Sequence, residues 1–180
     1  MKDTAPKQDF PMTIRSVGRI QSDLEKPVHR SGETIDPAVK RRLAKTNYEK
    51  VKAAVSRIII DPAYEDLLDG LEEFSHILVL YWPHLLPETE RNVRQVHPMG
   101  RQDIPLKGVF ATRSPARPNP VLVSTVKLID RENNVLRVRG LEALDGSPVI
   151  DIKPYTAFDN SEGDPVFPEW IERLHSELKA

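Results

Sequence analysis

The sequence predicts a mostly β fold: a small β-barrel-like single domain, with one helix inserted near the N-terminus and another at the C-terminus. Two observations carry that prediction. Short segments rich in β-branched and aromatic residues recur along the chain, bounded by Pro, Gly, Asn or Asp, without the strand–helix alternation a parallel sheet requires. Sixteen prolines in 180 residues also disfavour a helical bundle, because proline locks φ and removes a backbone donor.

Taken in order, residues 1–9 are polar and read as a flexible tail, residues 10–160 as the barrel domain, and residues 161–180 as the C-terminal helix. Residues 12–22 suggest a strand with a bend at Gly18, and residues 26–33 a loop. Asp36 followed by Pro37 is a helix start: an N-cap acceptor, then proline at the first helical position. Leu43, Ala44, Tyr48, Val51 and Val55 recur at helical spacing, which predicts a helix over 36–55. Arg41, Arg42, Lys45 and Lys52 fall on its opposite face, readable as a solvated surface or as a phosphate-binding one. Residues 57–60 are a short strand stopped by Asp61-Pro62, residues 63–71 a turn or short helix, and residues 74–82 a continuous apolar strand.

Residues 85–104 form a basic loop with Arg91, Arg94, His97 and Arg101. Strands are expected at 109–112, 121–129, 135–139 and 149–152, with a hairpin turn over Asp130–Asn134 and with Gly108 admitting a neighbouring backbone. Pro168 opens the last helix, whose apolar face is Trp170, Ile171, Leu174 and Leu178.

Several functional classes are disfavoured. No apolar run approaches the roughly 20 residues that cross a bilayer, and the first ten residues lack the apolar core of a secretory signal. There are no cysteines, hence no disulfides or thiolate sites; a cytoplasmic location is expected. A net charge of −1 confines any nucleic-acid surface to a local patch. No GxGxxG or P-loop lysine is present. His76 and His84 would lie roughly 26 Å apart on an extended strand, so no metal site is expected.

The stretch 107–120, KGVFATRSPARPNP, concentrates chemistry. Prolines at 115, 118 and 120 stiffen a loop carrying Arg113, Arg117 and Asn119, suited to an anion or carboxylate; the plain alternative is a solvated surface loop. Asp145-Gly146 reads either as a ligand-facing loop or as a simple turn, and His84 either as a pocket residue or as a structural donor.

Three segments in order, FSHILVLYWPH (74–84), GVFATRSPARPNP (108–120) and LEALDGSPVIDIKPY (141–155), resemble the YaeB/TrmO family of S-adenosylmethionine-dependent tRNA methyltransferases. The resemblance spans roughly 12–158, is closer after residue 61, and fits a short form without the extra C-terminal domain of longer members. It implies a β-barrel homodimer that takes S-adenosylmethionine and tRNA. The implied reaction methylates the exocyclic N6 of threonylcarbamoyl-adenosine at position 37, beside the anticodon. Carried over residue by residue, the cofactor contacts are His84, Leu85, Arg113, Val123, Glu142, Ala143, Leu144 and Asp145, with a looser match at Val28, His29 and Arg30. Arg117 and Asn119 fall on the substrate side, and no catalytic residue is assigned. Glu142 stands where the family usually has aspartate, Val121-Leu122 where it has Ile-Gly, and Met99 where many members have arginine. A non-catalytic RNA- or small-ligand-binding barrel, and a methyltransferase with another substrate, are the alternatives.

Overall fold

A computed structural model describes residues 12–24, 36–157 and 163–179. The tail at 1–9, the loop at 26–33 and with it Val28, His29 and Arg30 lie outside the described residues. Six strands close into an antiparallel barrel: β1 (Gly18–Gln21), β2 (Val55–Ile60), β3 (His76–Tyr81), β6 (Leu122–Glu132), β7 (Val135–Arg139) and β8 (Pro148–Pro154). Their order is β1-β2-β7-β6-β3-β8, and β8 pairs back onto β1. Two short strands, β4 (Gln95–Val96) and β5 (Lys107–Gly108), make a separate ribbon.

The core follows from period-2 alternation. Ile58 and Ile60 on β2, Leu136 and Val138 on β7, Ile77, Val79 and Tyr81 on β3, and Val126 and Leu128 on β6 all point inward and are buried. Six strands enclose less room than the eight whose interior side chains just fill. Ile20, Leu141, Ala143 and Val149 complete the same apolar cluster. A ligand therefore belongs on the barrel's rim or outside, not within it.

The stretch 74–82, expected as one continuous apolar strand, is a barrel strand with two faces. Leu78 and Leu80 point outward and are half-buried, while Phe74 precedes the strand and is exposed. The N-terminal strand is shorter than 12–22. Gly18 opens it rather than bending its middle, and a Cβ there would lie 2.4 Å from the Ile59 carbonyl oxygen. The hairpin between β6 and β7 narrows to Asn133-Asn134, with Asn133 at φ 53°, a left-handed conformation asparagine tolerates.

Helix α1 (Pro37–Ala53) begins as its sequence predicts: Asp36 Oδ1 accepts from the backbone N–H groups of Ala38 and Val39. Val55 is not on it but is an exposed residue of β2, and Leu43 is partly exposed. Helix α2 (Glu169–Lys179) buries Leu174 and packs against α1. An ionic cluster ties α2 to the loop at 101–103. Arg101, 4% exposed, donates to Asp103 and to Glu177 of α2, and Arg173 of α2 donates to the Asp103 carbonyl. Lys40 Nζ of α1 reaches the Gly100 carbonyl at 2.9 Å, so one loop fastens both helices.

The expected strand at 109–112 is absent. Residues 109–111 form a single 3-10 turn, and the strand pairing stops at Gly108. The Val109 carbonyl turns back to accept from the Thr112 N–H and hydroxyl, which takes Phe110 out to 80% exposure. Among the described residues nothing lies within 4 Å of where a Cβ on Gly108 would sit, so that glycine admits no close neighbour from them.

Candidate active site

Three regions distant in sequence meet at one end of the barrel: the end of β3, the loop after β7, and the proline-stiffened loop with the start of β6 that follows it. Tyr81 is the last inward residue of β3, 4% exposed, beside a register shift in the β3–β8 pairing. Bulges commonly re-aim side chains at such places. Its hydroxyl donates to the Glu142 backbone carbonyl and lies 3.4 Å from Ser124 Oγ. Burial raises the Tyr81 pKa, so the phenol stays protonated and serves as a donor.

Arg113 comes from the proline-stiffened loop and donates through Nη2 to the Val123 carbonyl. The rest of its guanidinium makes no hydrogen bond among the described residues and is exposed. Glu142 is exposed as a residue, yet its carboxyl is crowded by protein. That desolvation raises its pKa, while the Arg113 charge pulls it down. The two opposite charges thus influence one another across the rim without a salt bridge between them.

The loop of Glu142, Ala143, Leu144 and Asp145 is held from several sides. The Ala143 side chain is buried in the barrel core, which leaves only its backbone to a ligand. Ser147 N–H closes a turn onto the Leu144 carbonyl, with Gly146 at φ 75°. Asp145 Oδ1 accepts from the Ser22 N–H at 3.1 Å, and Gly146 N–H donates to the Ile20 carbonyl. Asp145-Gly146 is therefore a turn, and one tied to β1. His84 joins the same edge: its Nδ1 lies 3.4 Å from Ser147 Oγ, and its ring flanks Gly146. Leu85 beside it is 44% exposed and Val123 is 37% exposed, two apolar surfaces on this rim.

Of the residues named from sequence, Arg113, Val123 and Glu142 come together, and His84 meets the 142–147 loop. Arg117 and Asn119 do not join them through hydrogen bonds. Arg117 Nε donates to the Ser114 carbonyl at 2.7 Å and Nη2 to the Thr112 carbonyl at 2.6 Å, bracing its own loop. The Asn119 carbonyl accepts from the Val121 N–H, and the residue is exposed. Sequence reasoning missed Tyr81 and Ser124. The available signal was a tyrosine closing the inward series Ile77, Val79, Tyr81, an apolar body with a polar tip at a barrel end.

The fold and site define a closed β-barrel domain whose rim carries the Arg113 cation, the Glu142 carboxylate and the apolar Leu85 and Val123. The family model for the tRNA-methyltransferase O N-terminal domain matches residues 44–160, and the chain belongs to that family. Over 100 residues it is 60% identical to a probable S-adenosyl-L-methionine-binding protein of Methanothermobacter thermautotrophicus, covering 56% of this chain and 69% of that one. A mouse tRNA (adenine(37)-N6)-methyltransferase is 40% identical over 93 residues, 52% of this chain and 21% of its own length. The solved TrmO of Pseudomonas aeruginosa superposes with TM-score 0.60 and 27% identity, over 87% of this chain and 61% of that one. The chain spans 32% of an Archaeoglobus fulgidus relative that is 43% identical to it. No described helix is long and apolar enough to cross a membrane.

Proposed function

We propose that this chain is an S-adenosylmethionine-dependent tRNA methyltransferase that acts on the exocyclic N6 of an adenosine, threonylcarbamoyl-adenosine at position 37. The observation that carries this is the meeting of Arg113, Val123, Glu142 and Tyr81 at the rim of a barrel of this family. The residues fit the cofactor's chemistry. Arg113 has donors left for an α-carboxylate, Glu142 offers a carboxylate to an ammonium or sulfonium, and Leu85 and Val123 offer apolar surface to adenine.

When bound, S-adenosylmethionine supplies an electrophilic methyl carbon on a sulfonium. The protein's part is then positioning rather than strong base catalysis. Tyr81 fixes the backbone of Glu142, Asp145 and Gly146 tie that loop to β1, and Arg117 stiffens the loop that presents Arg113. Unpaired anticodon-loop bases can be splayed outward, and the exposed Asn119 of the proline-stiffened loop is a candidate to meet them.

The functional form is a homodimer in this reading. The apolar face of α2 is turned toward α1 rather than free, so pairing draws on apolar residues exposed elsewhere, among them Phe110, Leu106 and Met99. Calorimetry with S-adenosylmethionine, followed by transfer of a labelled methyl group to tRNA, tests the proposal. Binding without transfer to any tRNA leaves a cofactor-binding barrel, in line with the names of the archaeal relatives, S-adenosyl-L-methionine-binding proteins. Absence of binding to folded protein ends both readings.

A further inference from the structure

The outer face of β1, β2, β7 and β6 carries a charge pattern outside the rim site. Strand register lays its residues in rows. One row runs Gln21–Arg57–Arg137–Asp130 across the four strands, and the next runs Val55–Arg139–Lys127. Arg19 stands on the adjoining row of β1, opposite Ile59, with Glu132 at that row's far end. The five basic residues are all exposed.

Two like-charge pairs therefore stand directly opposite one another, Arg57 with Arg137 and Arg139 with Lys127. Such pairs destabilise a sheet, since the Cα atoms are only about 4.5–5.5 Å apart. Asp130 answers Arg137 at 2.7 Å. Among the described residues, Arg19, Arg57, Lys127 and Arg139 make no ion pair. In a chain of net charge −1, this collects positive charge that no described residue pairs, where the fold itself gains nothing from it.

We propose that this face is a docking surface for the RNA backbone, with Arg57, Lys127, Arg139 and Arg19 neutralising phosphates. Charge complementarity selects the occupant. Rows of long cationic side chains on the convex barrel wall match a repeating anion and give no base-reading geometry. The face is also continuous with the candidate active site. Val123, Thr125 and Lys127 point outward in succession on β6, so Lys127 lies about 13 Å from the carbonyl that Arg113 holds. Arg139 lies three residues before Glu142. A bound RNA could engage the face with its phosphates while presenting a nearby base to the rim. The proposal rests on the tRNA reading above and assigns the surface it uses.

The test compares wild-type protein with R57Q/K127Q/R139Q, using total tRNA in fluorescence anisotropy at several salt concentrations. Each lost phosphate contact removes roughly 0.7–0.9 from the slope of log K against log salt, so the triple variant flattens it by about 2 to 3. Affinity at low salt falls by about 10- to 1,000-fold. S-adenosylmethionine affinity by calorimetry stays unchanged, and the melting temperature holds or rises as the opposed charges are relieved. Should the triple variant fail to fold, Lys127→Gln alone flattens the slope by roughly 0.7–0.9. An unchanged affinity and slope in folded variant protein overturns the inference and leaves the methyltransferase reading standing. So does a loss confined to R41Q/R42Q/K45Q, which places RNA on α1. Wild type that binds S-adenosylmethionine but no tRNA overturns both.

Discussion

Replacing Arg113 by alanine separates a working rim from a decorative one. Its Nη2 holds the Val123 carbonyl, and its remaining donors make no hydrogen bond among the described residues. A charge-assisted hydrogen bond to a ligand carboxylate contributes about 1.5–3 kcal/mol. Because Arg113 is exposed, solvent screening favours the lower end, about 1.5 kcal/mol, or roughly tenfold in Kd for S-adenosylmethionine. A second effect has a definite sign. Burial raises the Glu142 pKa and Arg113 lowers it, so removing the guanidinium raises it further. Cation binding needs the carboxylate ionised. Affinity therefore falls as pH drops through the Glu142 pKa, and in the variant that fall begins at higher pH. Calorimetry over a pH series reads both effects, and Arg113→Lys should recover part of the affinity, lacking the fork but keeping the charge. Unchanged Kd and an unshifted acid limb would refute the assignment of Arg113 to the ligand.

Tyr81→Phe should cost about 0.5–1.5 kcal/mol of stability, the usual worth of a hydrogen bond, and should loosen the Glu142 loop, read as weaker cofactor binding. Gly18→Ala should destabilise the barrel by about 1–3 kcal/mol in denaturant melts, since its Cβ meets the β2 backbone at 2.4 Å. The Arg101 joint gives a pH signature. Arg101 lowers Asp103 from its ordinary 3.8 to about 2 and lowers Glu177 as well. Depressed carboxyl pKa values give stability fully present above about pH 4.5, the ordinary value of Glu177, and lost as pH falls toward the lowered Asp103 value of about 2. The fluorescence of Trp170 on α2 should change across that window, and Arg101→Met should abolish the pH-dependent step.

The legible parts of the sequence were those set by local pattern. The strand 135–139 coincides with β7 because its buried Leu136 and Val138 alternate with exposed arginines. The Asp36-Pro37 start of α1 is a local hydrogen-bond motif and needed no tertiary information. The stretch 109–112 misled because Val109 and Phe110 are strong strand formers. What overrode them was Arg117, with Thr112 and the prolines folding the chain back on the Val109 carbonyl. The inward series marked Tyr81 as the polar tip of a barrel end, but its partner was not legible, being a backbone carbonyl 61 positions away. The apolar face of α2 was readable, but its partner was not, since Arg101 and α1 arrive from distant segments.

Closure of the barrel through β8 has a consequence for how the chain is made. β8 pairs with both β1 and β3, so it is the strand that seals the ring. Synthesis at about 5–20 residues per second leaves β1 waiting several seconds before Pro148–Pro154 leave the ribosome. During that interval β1 and β3 each present an unpaired edge, with the half-buried Leu78 and Leu80 beside one of them. Bare edges of this kind invite pairing with other nascent chains. The vulnerable moment in this protein's life is thus late translation, and truncations just short of residue 148 should go to the insoluble fraction.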